Sequence, residues 1–488
     1  MLIALTFLVI ILTGLLTDIY LGDETIHYRI SSILYETGKR PVYDPLMHYS
    51  EAGKRLFLSD VLWHYGLALF GKVSGGISKV SAQLYQALYY LVLVICTYLL
   101  SRRLYGEETA LGSIFVLVSI PMVPVFSVIL HTDIPIAVLA VLCFLMLQRK
   151  SYFAAGVFLG LSLVMKRTIY MLLPAIFWLT LIDVDDEFKG WLKRLVFLTV
   201  PAVLIMIPDS YFRIRHFGYD SFLMTPMTPA RLHVPYLEGL SQMSPSEMPN
   251  VFVDVSNPVY DYTALFTHFG PLLFIFLILY LFRRKNKKDD RFIVLPVLSC
   301  FLIFLYLTIF LDIAPMLRHI SLLIPFLAII GALGLNTVKS RFLRRALLVL
   351  CLVQFLIASG YIYSKRKVPD DKAEAYRFVK ESLHADARIM AVNDSALAFR
   401  TGRISQWTSA FCYRELDYLF WKADEEEALR IISRYGTDYI LIENDRVYDD
   451  SVTRHLHDYP KSFVDKLPGF PFLEKIYSNE AVSIWKVR

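Results

Sequence analysis

The stretch "MLIALTFLVIILTGLLTDIYLGDETIHYRI", residues 1–30, contains the change in character that decides the fold. Its first half is apolar except for the hydroxyls of Thr6 and Thr13, and acidic residues follow directly. The run lacks the basic start and the small-residue cleavage site of a secretory signal peptide. We therefore expect it to be retained as a membrane helix, with the acids at the water boundary.

The whole chain carries an excess of apolar residues, and this excess comes in blocks. Its 488 residues are 56% hydrophobic, and the mean hydropathy is +0.49. A helix needs roughly 20 apolar residues to cross a bilayer, and such blocks recur from residue 2 to about residue 363. The sequence thus predicts a mainly α protein, a polytopic transmembrane bundle of about eleven spans. The predicted spans are residues 2–20, 82–100, 109–128, 134–147, 152–165, 168–182, 195–208, 264–282, 292–311, 320–336 and 346–363.

Basic residues between the spans predict the orientation of the chain. The short linkers on one side hold 17 Lys and Arg residues, and the positive-inside rule assigns that side to the cytoplasm. The N-terminus is then cytoplasmic, and the loops 21–81 and 209–263 face the opposite side. We expect an integral protein of the plasma membrane or the endoplasmic reticulum. Most of the net charge of +6 flanks the membrane, so nucleic-acid binding is not predicted.

Residues 364–488 differ in character and predict a second domain. They hold 20 basic and 21 acidic residues, a net charge of −1, which leaves +7 for residues 1–363. Helical patterns alternate with short apolar runs such as "TDYILIE", residues 437–443, a pattern typical of a buried strand. We therefore predict a transmembrane domain, residues 1–363, and a small extracytoplasmic α/β domain, residues 364–488.

The acids after the first helix allow two interpretations. Asp23 is placed to cap an amphipathic helix whose residues Ile26 and Ile30 would dip into the membrane interface. Capping alone does not require Glu24 beside it, or His27 one turn later on the same side as Asp23. Both a structural cap and a catalytic or metal-linked acid therefore stay open.

A second polar motif is "SVILHTDIPIAVL", residues 127–139. It places His131 and Asp133 in a very short outer turn between two apolar segments. Ionisable groups at such positions in membrane proteins are costly and usually functional. The alternative is that Thr132 or Asp133 caps the next helix, with Pro135 in its first turn.

Two further motifs carry cations at the predicted outer face. "LVMKRTIYMLLP", residues 163–174, presents Lys166 and Arg167 with no carboxylate nearby in the sequence. "LRHISLLIP", residues 317–325, presents Arg318 and His319 at the mouth of a helix. An arginine can hold a phosphate with two hydrogen bonds. Snorkelling to lipid headgroups and simple anchoring are the alternatives for these side chains.

The order of these motifs resembles the GT-C superfamily of membrane glycosyltransferases, especially the protein O-mannosyltransferase and aminoarabinose-transferase branch. The matching elements are "GDE" after the first helix, "HTDIP", "MKRTIYMLLP", and "LRHISLLIPFLAIIGA" before an α/β outer domain. The dolichyl-phosphoglucose transferases are similar through "DETIH" and "YDPLM" and rank second. The resemblance implies an enzyme whose sugar donor is a polyprenyl-phosphate lipid.

The resemblance also implies roles for particular residues. Asp23 would be the general base that acts on the acceptor, and Glu24 would orient it or contact the sugar. Arg318 would stabilise the departing lipid phosphate, with Lys166 or Arg167 as further candidates. The acceptor would be a protein, a lipid or a glycan.

A divalent metal ion is a further expectation from the resemblance. His27, His131 and Asp133 could bind such an ion, which would stabilise the leaving phosphate. Some branches of the superfamily work without metal, so both possibilities stay open.

A transporter and a non-catalytic membrane scaffold or sensor are the competing classes of protein. A transporter predicts inverted repeats and charges near the middle of helices. Here the polar motifs stand at predicted helix ends on one face, and the two halves of the sequence do not mirror each other. We therefore expect a glycosyltransferase.

Overall fold

Two compact units make up the part of the chain that the computed structural model describes. The first, called the bundle unit, comprises the described residues of Met1–Thr17, Ser59–Pro229 and Phe252–Lys365. The second, called the sheet unit, comprises those of Asp18–Leu58 and Arg366–Arg488. The described residues are 2–20, 22–48, 55–56, 61–181, 188–217, 268–283, 288–310, 317–408, 419–420, 423–448 and 459–488.

Helices account for most of the described residues. In chain order they are α1 Leu2–Leu16, α2 Gly22–Thr37, α3 Leu62–Ser74, α4 Lys79–Tyr105, α5 Glu107–Ser119, α6 Met122–Val128, α7 Asp133–Gln148, α8 Tyr152–Met165, α9 Leu173–Leu181, α10 Phe188–Phe217, α11 Pro271–Leu281, α12 Arg291–Phe310, α13 Ile324–Leu335, α14 Arg341–Lys365, α15 Asp370–Ser382, α16 Asp394–Thr401, α17 Glu425–Arg434 and α18 Lys461–Lys466. Short 3-10 turns, Arg167–Leu172 and Leu317–Leu323, precede α9 and α13.

Each of the eleven predicted apolar segments contains helix, but the helices differ in length. Among the described residues, three helices are long and apolar enough to cross a membrane, or four if the bent pair α5 and α6 counts as one span. Others are shorter: α7 has 16 residues and α8 has 14. At 1.5 Å per residue these helices measure about 24 Å and about 21 Å, less than the roughly 30 Å of hydrocarbon. The count of about eleven spans remains a prediction.

The predicted span 109–128 is broken into α5 and α6, which meet at an angle of 66°. Pro121 causes the break, because a proline pushes the residue before it away from the helical conformation. Ile120 is accordingly extended, with φ −66° and ψ 115°. The second half of the span, α6, then ends shortly before the turn that contains His131.

Two glycines let α8 and α10 approach closely. A Cβ atom on Gly156 would stand 2.2 Å from the carbonyl oxygen of Leu198, and one on Gly160 would stand 2.9 Å from Cα of Ala202. Gly156 and Gly160 are four residues apart and share one face of α8. Such small-residue faces are typical of helix contacts in membranes, where close backbone approach supplies much of the packing energy.

The sheet unit is built on a six-stranded mixed sheet with the order β2-β5-β4-β6-β10-β9. The first four run parallel, and β10 pairs antiparallel with both β6 and β9. Two smaller sheets pair β1 with β3 and β7 with β8. The strands are β1 Tyr43–Asp44, β2 Met47–His48, β3 Arg55–Leu56, β4 Arg388–Ala391, β5 Ile404–Trp407, β6 Tyr439–Glu443, β7 Val447–Tyr448, β8 Tyr459–Pro460, β9 Leu473–Ser478 and β10 Val482–Val487.

The central strand β6 separates two hydrophobic cores. Tyr439 and Leu441 belong to a core with residues of α15 and α16, whereas Ile440 and Ile442 belong to a core with residues of α17 and α18. Successive side chains of a strand point to opposite faces, so a strand buried on both faces is mostly apolar. This explains the apolar residues 439–442 within "TDYILIE" and supports the α/β prediction for this part of the chain.

The sheet unit also includes residues from outside the predicted domain 364–488. β2, from the first predicted outer loop, pairs in parallel with β5 and forms an edge of the main sheet, with Met47 opposite Ser405. The backbone N–H of Ser405 also donates to the carbonyl of Leu46 at 2.9 Å. Part of the predicted loop 21–81 therefore belongs to the sheet unit. A strand of only two residues has too short a sequence pattern for this to be predicted.

The helix α2 packs inside the sheet unit. Ile26 and Ile30 are buried in one cluster with Met47 and Ala398. The expectation that these isoleucines dip into the membrane interface is therefore wrong, because their apolar face is covered by protein. An amphipathic helix has the same sequence pattern whether its apolar face packs on protein or on a membrane. The pattern therefore predicted the helix but not what its apolar face contacts.

Candidate functional site

A buried carboxylate gathers polar groups from three segments of the bundle unit. Lys166 Nζ donates to Oδ1 of Asp133 at 2.6 Å, and the two side chains are 5% and 0% exposed. Ser321 Oγ donates to the same oxygen at 2.9 Å. His131 Nδ1 lies against Oδ2 of Asp133. We call these four residues the Asp133 cluster.

A second carboxylate is bound by two arginines. Arg167 Nη2 lies 3.0 Å from Oδ2 of Asp209, and Arg213 Nε donates to the same oxygen at 2.9 Å. All three side chains are at least 95% buried. Asp209 and Arg213 are four residues apart on α10, the spacing at which helix side chains meet. We call these three residues the Asp209 cluster.

The chain links the two clusters through neighbouring residues. Lys166 follows α8 in an extended conformation, with φ −165° and ψ 122°, and Arg167 begins the following turn. Lys166 contacts Asp133 whereas Arg167 contacts Asp209. Lys166 and Arg167 have no acidic residue near them in the sequence. In the structure they contact carboxylates that are distant along the chain. Counted over the described residues of the two clusters alone, three cations, with Arg213, face two carboxylates, a charge of +1 without His131.

Asp133 also stands at the start of its helix. Asp133 is the first residue of α7, where the helix dipole stabilises negative charge. The predicted capping alternative is weaker, because the N-cap residue Thr132 makes no side-chain capping bond. The carboxylate of Asp133 instead binds the side chains of its cluster.

A glutamine holds the turn that carries His131. Gln86 Nε2 donates to the carbonyls of Phe126, at 2.7 Å, and His131, at 3.0 Å. Its Oε1 accepts a hydrogen bond of 3.0 Å from the indole of Trp63. The chain leaves helical geometry after α6, so carbonyls there need partners from other elements. Gln86 supplies them from α4 and thereby fixes the turn.

The predicted acids stand at the start of α2 in the sheet unit. Asp23 is the second residue of the helix and is half-buried, so it is not the N-cap residue that the sequence suggested. Glu24 is fully buried and forms an ion pair with Arg366, which is also fully buried. Its Oε2 accepts the backbone N–H of Tyr20 at 3.2 Å. The two neighbouring acids thus have different surroundings.

The three predicted metal ligands fall in different units. His27 is buried in the sheet unit, whereas His131 and Asp133 belong to the bundle unit. Within the described ranges, no group of three or more His, Cys, Asp or Glu side chains is arranged to hold a metal ion. Both oxygens of Asp133 already contact Lys166, Ser321 or His131. These residues therefore do not fit a metal centre as they stand.

The remaining predicted cations lie at the edge of what is described. Arg318 and His319 belong to the 3-10 turn Leu317–Leu323, but their side chains lie outside the described part of the structure. Ser321, in the same turn, reaches Asp133. The turn formed by the motif "LRHISLLIP" therefore contributes Ser321 to the Asp133 cluster. The sequence analysis did not identify this residue.

Sequence reasoning missed several polar residues of these clusters. Asp209 and Arg213 were assigned to the start of an outer loop, although α10 continues to Phe217. Their spacing of four within "IPDSYFRIRHF", residues 207–217, could have indicated a pair on one helix face. Ser321, Gln86 and Arg366 carry no comparable signal, because their partners are distant in the sequence.

One family model matches the chain. It is described as dolichyl-phosphate-mannose-protein mannosyltransferase and covers residues 61–212, about a third of the chain. The matched range includes His131, Asp133, Lys166, Arg167 and Asp209. A comparison with curated protein sequences found no match.

Solved structures of membrane enzymes share the fold. ArnT from Cupriavidus metallidurans, bound to undecaprenyl phosphate, is 14% identical with a TM-score of 0.65, covering 99% of this chain and 96% of ArnT. The oligosaccharyltransferase of Archaeoglobus fulgidus, in its apo form, is 12% identical with a TM-score of 0.60, covering 90% and 69%. The same enzyme has been solved with Zn and sulfate, at 14% identity and a TM-score of 0.59.

These comparisons bear out the resemblance predicted from the motifs. The fold is similar to that of ArnT over nearly the full length of both chains, and residues 61–212 match a mannosyltransferase family model. Both findings agree with the predicted class, a membrane glycosyltransferase with a lipid-linked donor. The sugar, the acceptor and the roles of individual residues are matters for proposal.

Proposed function

We propose that this chain transfers a sugar from a polyprenyl-phosphate donor to an acceptor hydroxyl on the extracytoplasmic side of the membrane. The observation that carries the proposal is the buried charge of the Asp133 and Asp209 clusters. Three cations, Lys166, Arg167 and Arg213, face two carboxylates there. Buried cations are costly in a membrane protein, so this concentration of them favours a function in which they meet an anion.

The phosphate of a lipid-linked sugar is the anion that suits these clusters. It carries negative charge before the reaction and more of it when the glycosidic bond breaks. Arginine and lysine near the leaving oxygen would stabilise that charge, and they would need little rearrangement because the carboxylates already hold them in place. We assign this role to Lys166 and Arg167, with Arg213 as a further candidate. Arg318 keeps the role that the resemblance implies, and His319 remains a candidate for substrate binding.

Asp23 is the proposed general base. Its carboxylate takes the proton of the acceptor hydroxyl while the hydroxyl oxygen forms a bond to the anomeric carbon. The bond from that carbon to the phosphate oxygen breaks, and polyprenyl phosphate leaves with the electron pair. Asp23 is half-buried at the first turn of α2, so it is open enough to meet an acceptor. A carboxylate of this kind is a common base for hydroxyl activation.

We assign Glu24 the role of orienting Asp23 and not that of contacting the sugar. Its side chain is fully buried and pairs with Arg366, which leaves it no surface to contact a substrate. Of the two roles that the resemblance implied for Glu24, orienting Asp23 is therefore the one that the contacts support. It accepts the N–H of Tyr20 and so fixes the first turn of α2.

A divalent ion is not assigned a step in this proposal. Among the described residues, no group of three or more His, Cys, Asp or Glu side chains is arranged to hold an ion, and the oxygens of Asp133 already have partners. The positive charge that an ion would supply near a phosphate is present as Lys166, Arg167 and Arg213. A cation-assisted reaction therefore needs no further group from the described residues.

The transporter alternative fits the positions of the charges less well. Asp133 is the first residue of α7, Lys166 is the first residue after α8, and Arg213 lies in the last two turns of α10. A transport pathway would place such charges near the middle of the helices. A role as a scaffold or sensor does not explain why the Asp133 and Asp209 clusters hold buried cations.

The test is sugar transfer by the purified protein in lipid nanodiscs. Radiolabelled polyprenyl-phosphate pentoses and hexoses are supplied one at a time with a cell-envelope fraction as the source of acceptors. We expect one donor to be consumed, with label in the envelope fraction and free polyprenyl phosphate as the second product. Consumption of none of these donors would contradict the proposed function.

A further inference from the structure

The start of α2 is held by a residue from the other end of the chain. We propose that Arg366 is a positioning residue for Asp23 and acts through Glu24, an inference that rests on the proposed role of Asp23 as general base. Arg366 follows the last apolar helix, α14, and Asp18 follows the first helix, α1. Arg366 and residues 18–48 belong to the same unit.

The contacts of Arg366 enclose the segment that contains Asp23. Its Nε donates to Oε2 of Glu24 at 3.3 Å, and its Nη2 contacts the other carboxylate oxygen. Its backbone carbonyl accepts the N–H of Asp18 at 3.1 Å. Glu24 in turn accepts the N–H of Tyr20 at 3.2 Å. A single arginine thus fixes both ends of residues 18–24.

Asp23 takes its position from this arrangement because it is the neighbour of Glu24 in the first turn of α2. The carboxylate of Glu24 cannot move without breaking its hydrogen bonds to Tyr20 and Arg366 and so separating a buried ion pair. A rotation or shift of the first turn would move Asp23 with it. Proton transfer requires a heavy-atom distance of about 2.6 to 3.2 Å between the base and the hydroxyl oxygen. A small shift of the base therefore lowers the rate of transfer strongly.

Other groups also contact the segment. Lys372, which is buried, donates to the hydroxyl of Tyr20 at 3.4 Å, and Asn393 donates to the same hydroxyl at 3.3 Å. Arg400 lies 3.6 Å from the carboxylate of Asp18, with side chains that are 23% and 45% exposed. It also lies 5.9 Å from the ring centre of Tyr20. An exposed pair of this kind contributes little to fixing a backbone. These groups contact residues 18–20, whereas the buried pair of Glu24 and Arg366 acts on the first turn of α2 itself, where Asp23 stands.

The test uses a variant that keeps hydrogen bonding and removes both charges, Glu24→Gln with Arg366→Gln. Two glutamines can still pair and accept from Tyr20, so no buried charge is left without a partner. We expect the donor KM to stay within about twofold and kcat to fall by about 10²-fold, since misplacing a reacting group by 1 Å can cost that much. If this variant does not fold, Arg366→Lys provides the same comparison, because it keeps the charge and loses one arm of the contact.

The matched control is another ion pair of the same helix. Arg29 Nη2 donates to Oδ1 of Asp44 at 2.7 Å, and Asp44 is buried. Arg29→Gln with Asp44→Asn removes this pair without touching the first turn of α2, and we expect wild-type kcat.

The outcomes separate the inference from the proposed function. Wild-type kcat in both Arg366 variants, with Asp23→Asn inactive, would overturn the positioning role and leave the function intact. An equal loss in the control would also overturn it, because the effect would then be a general loss of structure. Normal transfer by Asp23→Asn would instead remove the proposed base.

Discussion

Lys166 and Asp133 form a direct hydrogen bond of 2.6 Å within the bundle unit, although 33 residues separate them in the sequence. Neither side chain is more than 5% exposed. A buried pair of this kind seldom adds to stability when compared with apolar residues of the same size. Its presence therefore calls for a functional account, and we propose that Asp133 holds Lys166 ready for the lipid phosphate.

Asp133→Asn tests this account. It removes the charge that balances Lys166, so we expect the protein to lose about 3 to 5 kcal/mol of stability, the usual cost of breaking a buried pair. Thermal unfolding followed by tryptophan fluorescence measures the loss. The double variant Asp133→Leu with Lys166→Met should recover much of the stability and still use the donor poorly. Normal donor use by that double variant would return the pair to a structural role.

Arg213→Gln tests the excess of positive charge. It lowers the charge of the two clusters from +1 to zero, so we expect the donor KM to rise about tenfold, equivalent to about 1.4 kcal/mol. Undecaprenyl phosphate should also stabilise the variant less than the wild type in thermal unfolding, because at a given concentration a ligand stabilises more the more tightly it binds. Uncharged polyprenol should stabilise neither protein.

The matched control for Arg213 is Arg283, another arginine of the bundle unit. Arg283 Nη1 lies 3.2 Å from both oxygens of Asp290 and is 13% exposed. We expect Arg283→Gln to lower thermal stability without changing donor KM. An equal rise in KM for both variants would mean that Arg213 acts on structure alone.

Gln86→Leu tests the support of the turn at His131. The change leaves the carbonyls of Phe126 and His131 without the amide that binds them, and a buried group left unpaired costs about 1 to 3 kcal/mol. We expect lower thermal stability and a loss of kcat. Trp63→Phe removes the indole N–H that orients the amide together with part of a fully buried ring, so we expect lower stability but a smaller loss of kcat than in Gln86→Leu. A larger loss of kcat in Trp63→Phe would argue against Gln86 as the support.

The predicted topology rests on the basic linkers and can be checked with one cysteine. Cys412 lies in the C-terminal region, outside the described residues, whereas Cys96, Cys143, Cys300 and Cys351 are buried. We expect a membrane-impermeant maleimide to label Cys412 from the extracytoplasmic side of intact cells or sealed vesicles. Labelling only after the cytoplasmic side is opened would reverse the orientation.

The sequence predicted local structure well where apolar runs are long and flanked by charges. The span 152–165 coincides with α8, Tyr152–Met165, since "QRKS" bounds it on one side and Lys166 on the other. The buried strand "TDYILIE" was recognisable because a central strand is mostly apolar on both faces. These features depend only on neighbouring residues.

The rest depended on contacts between residues that are distant in the chain. Glu24 and Arg366 are 342 residues apart, and nothing in either neighbourhood indicates the other. The isoleucines Ile26 and Ile30 face protein instead of lipid, which an amphipathic pattern cannot distinguish. The motifs "HTDIP" and "MKRTIYMLLP" were predicted to matter separately, and the structure joins them through Lys166 and Asp133.

The central claim, a sugar transfer with a carboxylate base at the start of α2, is tested most directly by Asp23→Asn. Asparagine has nearly the size of aspartate and is as well tolerated near a helix start, so stability should change little. It cannot take a proton, so we predict that transfer from the radiolabelled donor falls by roughly 10² to 10⁴. Binding of undecaprenyl phosphate should be unchanged. A folded Asp23→Asn protein that transfers sugar at a near-normal rate would contradict the account.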